Sequence, residues 1–280
     1  MSCDAATAPI DISLRGSAGK CDLKCDLTFQ YKGSDTCVAT NRGDYVGLTY
    51  ADNAGFIKYN TQNYAVREIR LYHPSLHSFN GVRAAAELVV VHSNTDGGND
   101  LLICLPIETV NSSGGTASLF DSITAAMASH APANGERTSV TVEEYNLEDI
   151  VPKKPFFSYE ASLCFQPCNR QVTYAVFTDR ISMSSASMET LASIVSPNPY
   201  TIKEGISFFY NEKGPGASGA DGIYIDCRPV GQSEEEEVVH EDAQPSVNFS
   251  MKSPTVQVFV GIVGFLVLLA ILGWAMNYAS

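Results

Sequence analysis

Three histidines and two glutamates lie within residues 64–94, where the chain reads YAVREIRLYHPSLHSFNGVRAAAELVVVHSN. Imidazole and carboxylate groups are common ligands of metal ions and common carriers of protons near neutral pH. A metal site or a general acid–base site is therefore the chemistry that His73, His77, His92, Glu68 and Glu87 could support together. Whether they do depends on the strands and turns that position them.

The spacing of these residues resembles the zinc-binding segment of the α-carbonic anhydrases. In that family the segment forms two strands. The first carries His-x-His and leads into a Ser-Glu-His turn, and the second has the pattern Glu-x-His-x-Val-His-x-Asn. The matching frame in this chain is Glu68, residues 73–77 (HPSLH) and residues 87–94 (ELVVVHSN). His77 and His92 fall on family positions that do not bind the metal, so the resemblance implies that they are structural.

The three zinc ligands of the family fall on Arg70, Tyr72 and Val89, which we call the replaced triad. Catalysis in the family needs a zinc ion that lowers the pKa of its bound water to about 7, held by three neutral imidazoles. Arginine stays protonated, valine has no donor atom, and tyrosine is a poor zinc ligand. The resemblance therefore predicts a protein without catalytic residues, bound metal or other cofactor, which is not an enzyme.

Three further positions of the family's catalytic apparatus are also replaced. The threonine and glutamate that orient the zinc-bound hydroxide fall on Cys164 and Leu76, and the proton-shuttle histidine falls on Asp44. Leucine has no hydrogen-bonding group, and the ordinary aspartate pKa of about 3.9 is far from that of a proton shuttle working near neutral pH. These replacements agree with the loss of the metal ligands.

Similar motifs follow one another in the family's order. They lie at residues 8–12 (APIDI), 41–44 (NRGD), 100–107 (DLLICLPI), 149–152 (DIVP) and 157–174 (FSYEASLCFQPCNRQVTY). Beyond Pro197 the match fades. The resemblance implies a mainly β (α+β) fold of the α-carbonic anhydrase type, built on a large, mostly antiparallel, twisted central sheet.

Arg70 is predicted to neutralise a carboxylate in the replaced triad. Alternate residues of a strand face one side, so Glu68 shares a face with Arg70, and Glu87 shares the matching face of the next strand with Val89. In the family the glutamate at position 87 orients a zinc ligand, and without the metal it would be a buried, unpaired carboxylate. A planar guanidinium suits a carboxylate. We expect Arg70 to pair with Glu87 or with Glu68.

Eight cysteines are many for a protein of the reduced cytosol. In secreted members of the family, a disulfide joins a cysteine near the N-terminus to one after the Thr-Thr-Pro-Pro motif. The resemblance therefore pairs Cys3 with Cys168, and Cys21 or Cys25 could supply the partner instead. Two Cys-x-x-x-Cys pairs, Cys21/Cys25 and Cys164/Cys168, suggest a structural zinc site, but their spacing and separation make this the weaker hypothesis.

Residues 258–276 (VFVGIVGFLVLLAILGWAM) carry no charged side chain. A helix of this length spans roughly 28 Å, close to the bilayer hydrocarbon core of about 30 Å. With Trp274 and Tyr278 as interfacial residues, the pattern predicts a transmembrane anchor at 254–277 and a short tail at 278–280. The N-terminus has no basic n-region or apolar h-region, so we expect a single-pass, tail-anchored protein whose N-terminal domain lies on the cytosolic side during synthesis.

The segment 233–253 separates the anchor from residues 1–232, the predicted carbonic anhydrase-like domain. It holds six acids and one lysine, which is typical of a solvated stalk. Of the chain's 31 acidic and 18 basic residues, 25 and 17 remain in the domain, a net charge of −8. This negative net charge argues against nucleic acid as the partner, because a protein that binds a polyanion needs a positively charged surface. A local basic patch would draw on Arg67, Arg83, Lys153, Lys154 and Arg170.

This architecture resembles the cell-surface-binding envelope proteins of poxviruses. The resemblance implies a virion membrane protein whose N-terminal domain lies on the particle surface and binds a host glycosaminoglycan or another cell-surface receptor. The alternative is a tail-anchored carbonic anhydrase-related protein that acts as a protein-binding scaffold on the cytosolic face of a membrane. An enzyme with a relocated metal is a third class. The sequence names no ligand-binding residue and leaves homo-oligomerisation open.

Overall fold

The computed structural model describes residues 3, 5–21, 24–34, 37–50, 55–112, 114–142 and 145–216, all within one compact unit, Met1–Ile225. The predicted stalk at 233–253, the anchor at 254–277 and the tail at 278–280 lie outside the described residues. Within the ranges that are described, no helix has the length and apolar character needed to cross a membrane.

Fifteen strands and three α-helices make up the described part of the chain. The strands are β1 (Asp11–Ile12), β2 (Leu27–Tyr31), β3 (Cys37–Asn41), β4 (Tyr45–Leu48), β5 (Gly55–Tyr59), β6 (Gln62–Tyr72), β7 (Ser78–Phe79), β8 (Val82–Arg83), β9 (Ala86–Asn94), β10 (Asp100–Val110), β11 (Arg137–Val140), β12 (Phe156–Ser162), β13 (Gln171–Phe177), β14 (Ile181–Ser184) and β15 (Phe209–Asn211). The helices are α1 (Thr116–His130), α2 (Leu147–Ile150) and α3 (Ser185–Ile194), and one 3-10 turn lies at Leu14–Gly16.

Twelve of these strands form one large sheet in the order β11-β3-β4-β6-β9-β10-β13-β12-β15, with β14 beside β10, β5 beside β6 and β2 beside β5. Most neighbours are antiparallel, but β10 runs parallel to both β13 and β14, so the sheet is mixed. A small second sheet has the order β1-β7-β8. The predicted mainly β architecture with a large central sheet is confirmed.

The central strands are buried on both faces, which is why β9 and β10 read as nearly continuous apolar runs. Ile69 and Leu71 of β6 face a core that also contains residues of α1 and α3, such as Phe120. Tyr72 and Val89 face the opposite core, which also contains side chains of β12 and β13 and of the segments 8–12 and 163–165. The replaced triad therefore lies on the face of the sheet that carries no described α-helix.

A β-bulge at Arg67 decides which residues of β6 reach this second core. In the pairing of β6 with β9, Val66 is opposite His92, whereas Glu68 is opposite Val91, so Arg67 is the extra residue. Because side chains alternate between faces, the bulge turns Glu68 and the alternate residues after it towards the side of Val91. The register then places Arg70 directly opposite Val89.

Candidate functional site

Arg70 occupies the centre of the replaced triad and is only 9% exposed. Its Nη2 donates a hydrogen bond to Glu68 Oε1 at 2.6 Å, and its Nη1 donates to the Tyr72 hydroxyl at 3.2 Å. The guanidinium carbon lies 3.8 Å from the centre of the Phe165 ring and 4.6 Å from the centre of the Tyr45 ring. Such contacts with aromatic faces stabilise a cation that has been removed from water.

The charge of Arg70 is maintained despite its burial. Burial alone would lower the pKa of Arg70, but the adjacent Tyr72 hydroxyl and the hydrogen-bonded Glu68 carboxylate outweigh it, so the pKa is raised above its ordinary value. Nε of Arg70 has no hydrogen-bond partner among the described residues. The guanidinium is thus a permanent cation held mainly by one carboxylate and two rings.

Tyr72 and Val89 complete the triad without offering a usable metal ligand. Tyr72 is fully buried, with ring-centre distances of 5.2 Å to Tyr45 and 6.1 Å to Tyr200. Burial raises the pKa of the Tyr72 hydroxyl well above its ordinary value, so that oxygen stays protonated. Val89 is fully buried and has no donor atom. Zinc requires deprotonated or neutral nitrogen, sulfur or oxygen donors, and the side chains at these three positions do not fit it.

Leu76, Cys164 and Asp44 lie at the three further positions that the sequence comparison singled out. Leu76 and Cys164 are buried, and Leu76 cannot take part in a hydrogen-bond relay. Burial, together with the nearby Glu87, raises the pKa of the Cys164 thiol to about 12, so it is an unreactive thiol at neutral pH. Asp44, at the shuttle position, accepts a hydrogen bond from the Tyr200 hydroxyl at 3.3 Å.

Glu87 does not pair with Arg70, and the partner of Arg70 is Glu68. The backbone N–H of His77 donates to Glu87 Oε2 at 2.9 Å, and His77 Nδ1 lies 2.6 Å from Glu87 Oε1. Since a carboxylate accepts, Nδ1 donates, and His77 Nε2 is left to accept from the Tyr159 hydroxyl at 2.7 Å. The turn after β6 brings His77 over Glu87, which satisfies this carboxylate without a metal or an arginine.

His77, Glu87 and Cys104 form a buried group whose potential ligand atoms lie within 4.8 Å of one another. Both ring nitrogens of His77 and both oxygens of Glu87 already have hydrogen-bond partners. Burial, with a further contribution from Glu87, raises the pKa of the Cys104 thiol well above its ordinary value. We interpret the group as a structural hydrogen-bond network, in agreement with the structural role expected for His77.

His92 is the second buried histidine of this segment. Its Nδ1 lies 3.3 Å from the Leu101 carbonyl oxygen and its Nε2 lies 2.9 Å from the Tyr31 hydroxyl. Because a carbonyl can only accept, Nδ1 donates and Nε2 accepts from Tyr31. Burial lowers the pKa of His92 to about 4, so the ring is neutral at physiological pH.

A cavity of about 350 Å³ opens beside the triad but does not reach it. Its lining includes Asp44, Phe165, Tyr200 and Lys203, and none of the three triad residues is part of it. Phe165 forms the boundary, since its ring lines the cavity and also lies against Arg70. Sequence reasoning did not single out Tyr45, although this residue directly follows the matched segment 41–44, whereas Phe165 lies within the matched segment 157–174.

Two disulfides are present among the described cysteines. Cys3 is bonded to Cys168, the predicted pair, with 5.4 Å between the Cα atoms. Cys21 is bonded to Cys25, so neither Cys-x-x-x-Cys pair supplies thiolates for a structural zinc. Cys164 is a free, buried thiol.

The profile of the eukaryotic-type carbonic anhydrases matches residues 2–204. The chain belongs to this family. A curated relative, alpha carbonic anhydrase 7 of Arabidopsis thaliana, is 31% identical over 137 residues, which span 49% of this chain and 47% of that protein. The match therefore covers about half the length of that relative.

Solved structures of a carbonic anhydrase and of dioscorin share the fold. Carbonic anhydrase Cah3 from Chlamydomonas reinhardtii, in complex with acetazolamide, superposes with a TM-score of 0.62 at 19% identity, over 74% of this chain and 91% of its own. Dioscorin complexed with ascorbate gives a TM-score of 0.62 at 18% identity, over 74% and 86%. At these identities, the similarity shows the carbonic anhydrase fold alone.

Proposed function

We propose that this chain is a non-catalytic carbonic anhydrase-family protein that attaches a virus particle to its host cell, with the described domain on the particle surface and a C-terminal membrane anchor. The position of the Arg70 guanidinium is the main observation that supports the loss of catalysis. It lies between the Phe165 and Tyr45 rings, in the place where the ligands of a zinc ion would have to converge.

A permanent cation at this place opposes metal binding in two ways. It repels a divalent cation at short range, in a site of low dielectric where such repulsion is strong. It also occupies the Glu68 carboxylate, which is hydrogen-bonded to it at 2.6 Å. Reactivation would therefore require the removal of Arg70 as well as the return of three imidazoles.

A domain that keeps the carbonic anhydrase fold but does not catalyse the reaction can still present a stable surface to a binding partner. The disulfide joins Cys3 to Cys168, which are 165 positions apart in the sequence. Such a long-range link stabilises the fold by restricting the unfolded chain. The apolar segment 258–276 supports a membrane anchor, and the acidic segment before it supports a stalk that holds the domain away from the bilayer. This combination supports attachment as the function.

The test uses the purified full-length chain in a non-ionic detergent. We expect less than about 0.1 equivalent of zinc by elemental mass spectrometry and no carbon dioxide hydration above the buffer rate. After reconstitution into fluorescent liposomes, we expect saturable binding to host cells that competes with virus. Stoichiometric zinc with turnover would show that the protein is an enzyme. Absence of cell binding, with capture of a defined cytosolic protein instead, would favour the scaffold function.

A further inference from the structure

The Tyr159 hydroxyl donates to a histidine that is itself held by a carboxylate. It lies 2.7 Å from His77 Nε2, and His77 Nδ1 lies 2.6 Å from Glu87 Oε1. All three side chains are buried. A carboxylate behind an imidazole fixes the tautomer of the ring and stabilises the imidazolium that forms when the ring takes up a proton. The network is therefore able to accept a proton from Tyr159, a capacity that its structural role leaves unused.

The reaction that needs such a base beside a buried phenol is the loss of one electron. Burial raises the pKa of Tyr159 well above its ordinary value, so the intact phenol keeps its proton. Removal of an electron makes a phenol strongly acidic, because the ring then carries a positive charge that loss of the proton neutralises. A charge in a buried site is strongly unfavourable, so the oxidation requires an adjacent group that takes the proton.

A second tyrosine, Tyr31, also donates to a buried histidine, but this pair is less suited to the reaction. The Tyr31 hydroxyl lies 2.9 Å from His92 Nε2, and His92 Nδ1 faces the Leu101 carbonyl oxygen at 3.3 Å. That carbonyl is a neutral acceptor, which stabilises an imidazolium less than a carboxylate does. Burial lowers the pKa of His92 to about 4. His92 is therefore a poor acceptor for the proton of Tyr31.

Three further buried tyrosines have no basic group at the hydroxyl. The Tyr59 oxygen lies 2.6 Å from Ser158 Oγ, a neutral hydroxyl that is a very weak base. The Tyr174 hydroxyl has no hydrogen-bond partner within the described ranges. The Tyr72 hydroxyl accepts from the Arg70 guanidinium at 3.2 Å, and this permanent cation repels further positive charge. Oxidation of any of these three would leave an unfavourable charge in the protein interior.

The Tyr159 ring is stacked on Tyr174, with 4.6 Å between the ring centres and 3° between the planes. Both rings belong to the core that also contains Cys164 and Phe165, and these two residues line the cavity of about 350 Å³. An oxidant in this cavity needs no contact with Tyr159, because an electron, unlike a proton, can cross a few packed side chains. Burial also prevents an oxidised Tyr159 from coupling with a tyrosine of another molecule.

We propose that Tyr159 is the preferred site at which this protein loses one electron to a diffusible inorganic radical, with transfer of the phenol proton to His77. The O–H bond of Tyr159 breaks, and an N–H bond forms at His77 Nε2. The electron reduces the inorganic radical to its anion. The products within the protein are a neutral phenoxyl radical and an imidazolium paired with Glu87. The buried network thereby acts as a trap for oxidising radicals, an activity separate from attachment.

The experiment oxidises the full-length chain in non-ionic detergent with azide radicals generated by pulse radiolysis. Every protein carries Trp274→Phe, because this single tryptophan would compete for the oxidant. Tyr159→Phe removes the proposed site, whereas Tyr59→Phe and Tyr31→Phe remove other buried phenols as controls. Optical absorption measures the phenoxyl radical that persists after radicals at exposed tyrosines have coupled. We expect Tyr159→Phe to lower the persistent radical at least fivefold and each control to lower it less than twofold.

High-field electron paramagnetic resonance of the frozen radical tests the proton transfer in the protein that keeps Tyr159, so the result does not depend on the folding of a variant. We expect the lowered g value of a phenoxyl oxygen that accepts a hydrogen bond from a cation. A radical without that hydrogen bond, no persistent radical, or an equal loss in either control would overturn the proposal. Thermal unfolding measured by circular dichroism verifies that Tyr159→Phe is folded. None of these measurements involves cell binding, so the attachment function is tested separately.

Discussion

The Arg70 guanidinium carbon lies 3.8 Å from the centre of the Phe165 ring, at the junction between the replaced triad and the neighbouring cavity. This one contact accounts for two properties of the site. The ring stabilises a cation where the family would hold a metal, and it separates that cation from the cavity. Arg70 stands at one position of the replaced triad, and Phe165 directly follows Cys164 in the sequence.

We expect Arg70→Ala to lower the free energy of unfolding by about 2–3 kcal/mol, because it removes a desolvated cation–π contact and a charged hydrogen bond. In a double-mutant cycle, Arg70 should couple to Glu68 by about 1 kcal/mol and to Glu87 by less than about 0.5 kcal/mol. Urea unfolding of the single and double variants measures both quantities. Stronger coupling to Glu87 than to Glu68 would contradict the pairing described above.

Glu87→Ala should be more damaging than Glu68→Ala. Glu87 is fully buried and accepts two hydrogen bonds from His77, so its removal leaves two buried donors unsatisfied and should cost about 3–5 kcal/mol. The Glu68 side chain is 32% exposed, so water can replace part of its contacts. Chemical denaturation of the two variants compares them directly, and similar losses would show that the buried network is dispensable.

The stability of the domain should fall in mild acid because of His92. Its pKa is about 4 in the folded state, below the ordinary value of 6.5, so the unfolded chain takes up the proton first. The stabilisation is complete above about pH 6.5 and decreases as the pH falls towards 4, by about 3 kcal/mol in all. His92→Gln should flatten the dependence between pH 6.5 and pH 4.5. Parallel curves for the two proteins would show that another group is responsible.

Restoring the three histidines alone should not restore an efficient enzyme. Arg70→His/Tyr72→His/Val89→His should bind zinc, because three imidazoles would then lie on the same face of the adjacent, paired strands β6 and β9. Turnover should stay low, since Leu76 and Cys164 cannot orient the attacking oxygen and Phe165 still covers the site. Adding Leu76→Glu, Cys164→Thr and Phe165→Thr should raise carbon dioxide hydration at least tenfold. Full activity in the triple variant would show that these outer residues are unimportant.

The segment 258–276 should control membrane association. We expect the full-length chain to resist extraction from membranes by alkaline carbonate, whereas a chain that ends at residue 253 should be released. The sequon at Asn111 should remain unglycosylated in cells, since the domain is expected on the cytosolic side during synthesis. A mobility shift that is sensitive to an N-glycosidase and abolished by Asn111→Gln would contradict this topology.

The sequence by itself determined the family and the chemical types at the replaced triad. Motif order along the chain reflects the order of strands, and the absence of imidazole, thiolate or carboxylate at Arg70, Tyr72 and Val89 is a property of the side chains themselves. Sequence also pairs Cys3 with Cys168 through the resemblance, and the structure has this disulfide. The stalk and the anchor rest on composition and hydropathy, and they stay predictions.

Only the tertiary structure decided which groups meet. The bulge at Arg67 sets the face on which Arg70 lies, and the turn after β6 brings His77 to Glu87, so Glu68 is left for Arg70. Residue types alone cannot show which carboxylate pairs with Arg70, because Glu68 and Glu87 are both suitable partners for a guanidinium. Local pattern specifies what a side chain can do, and long-range register specifies with which neighbour it does so.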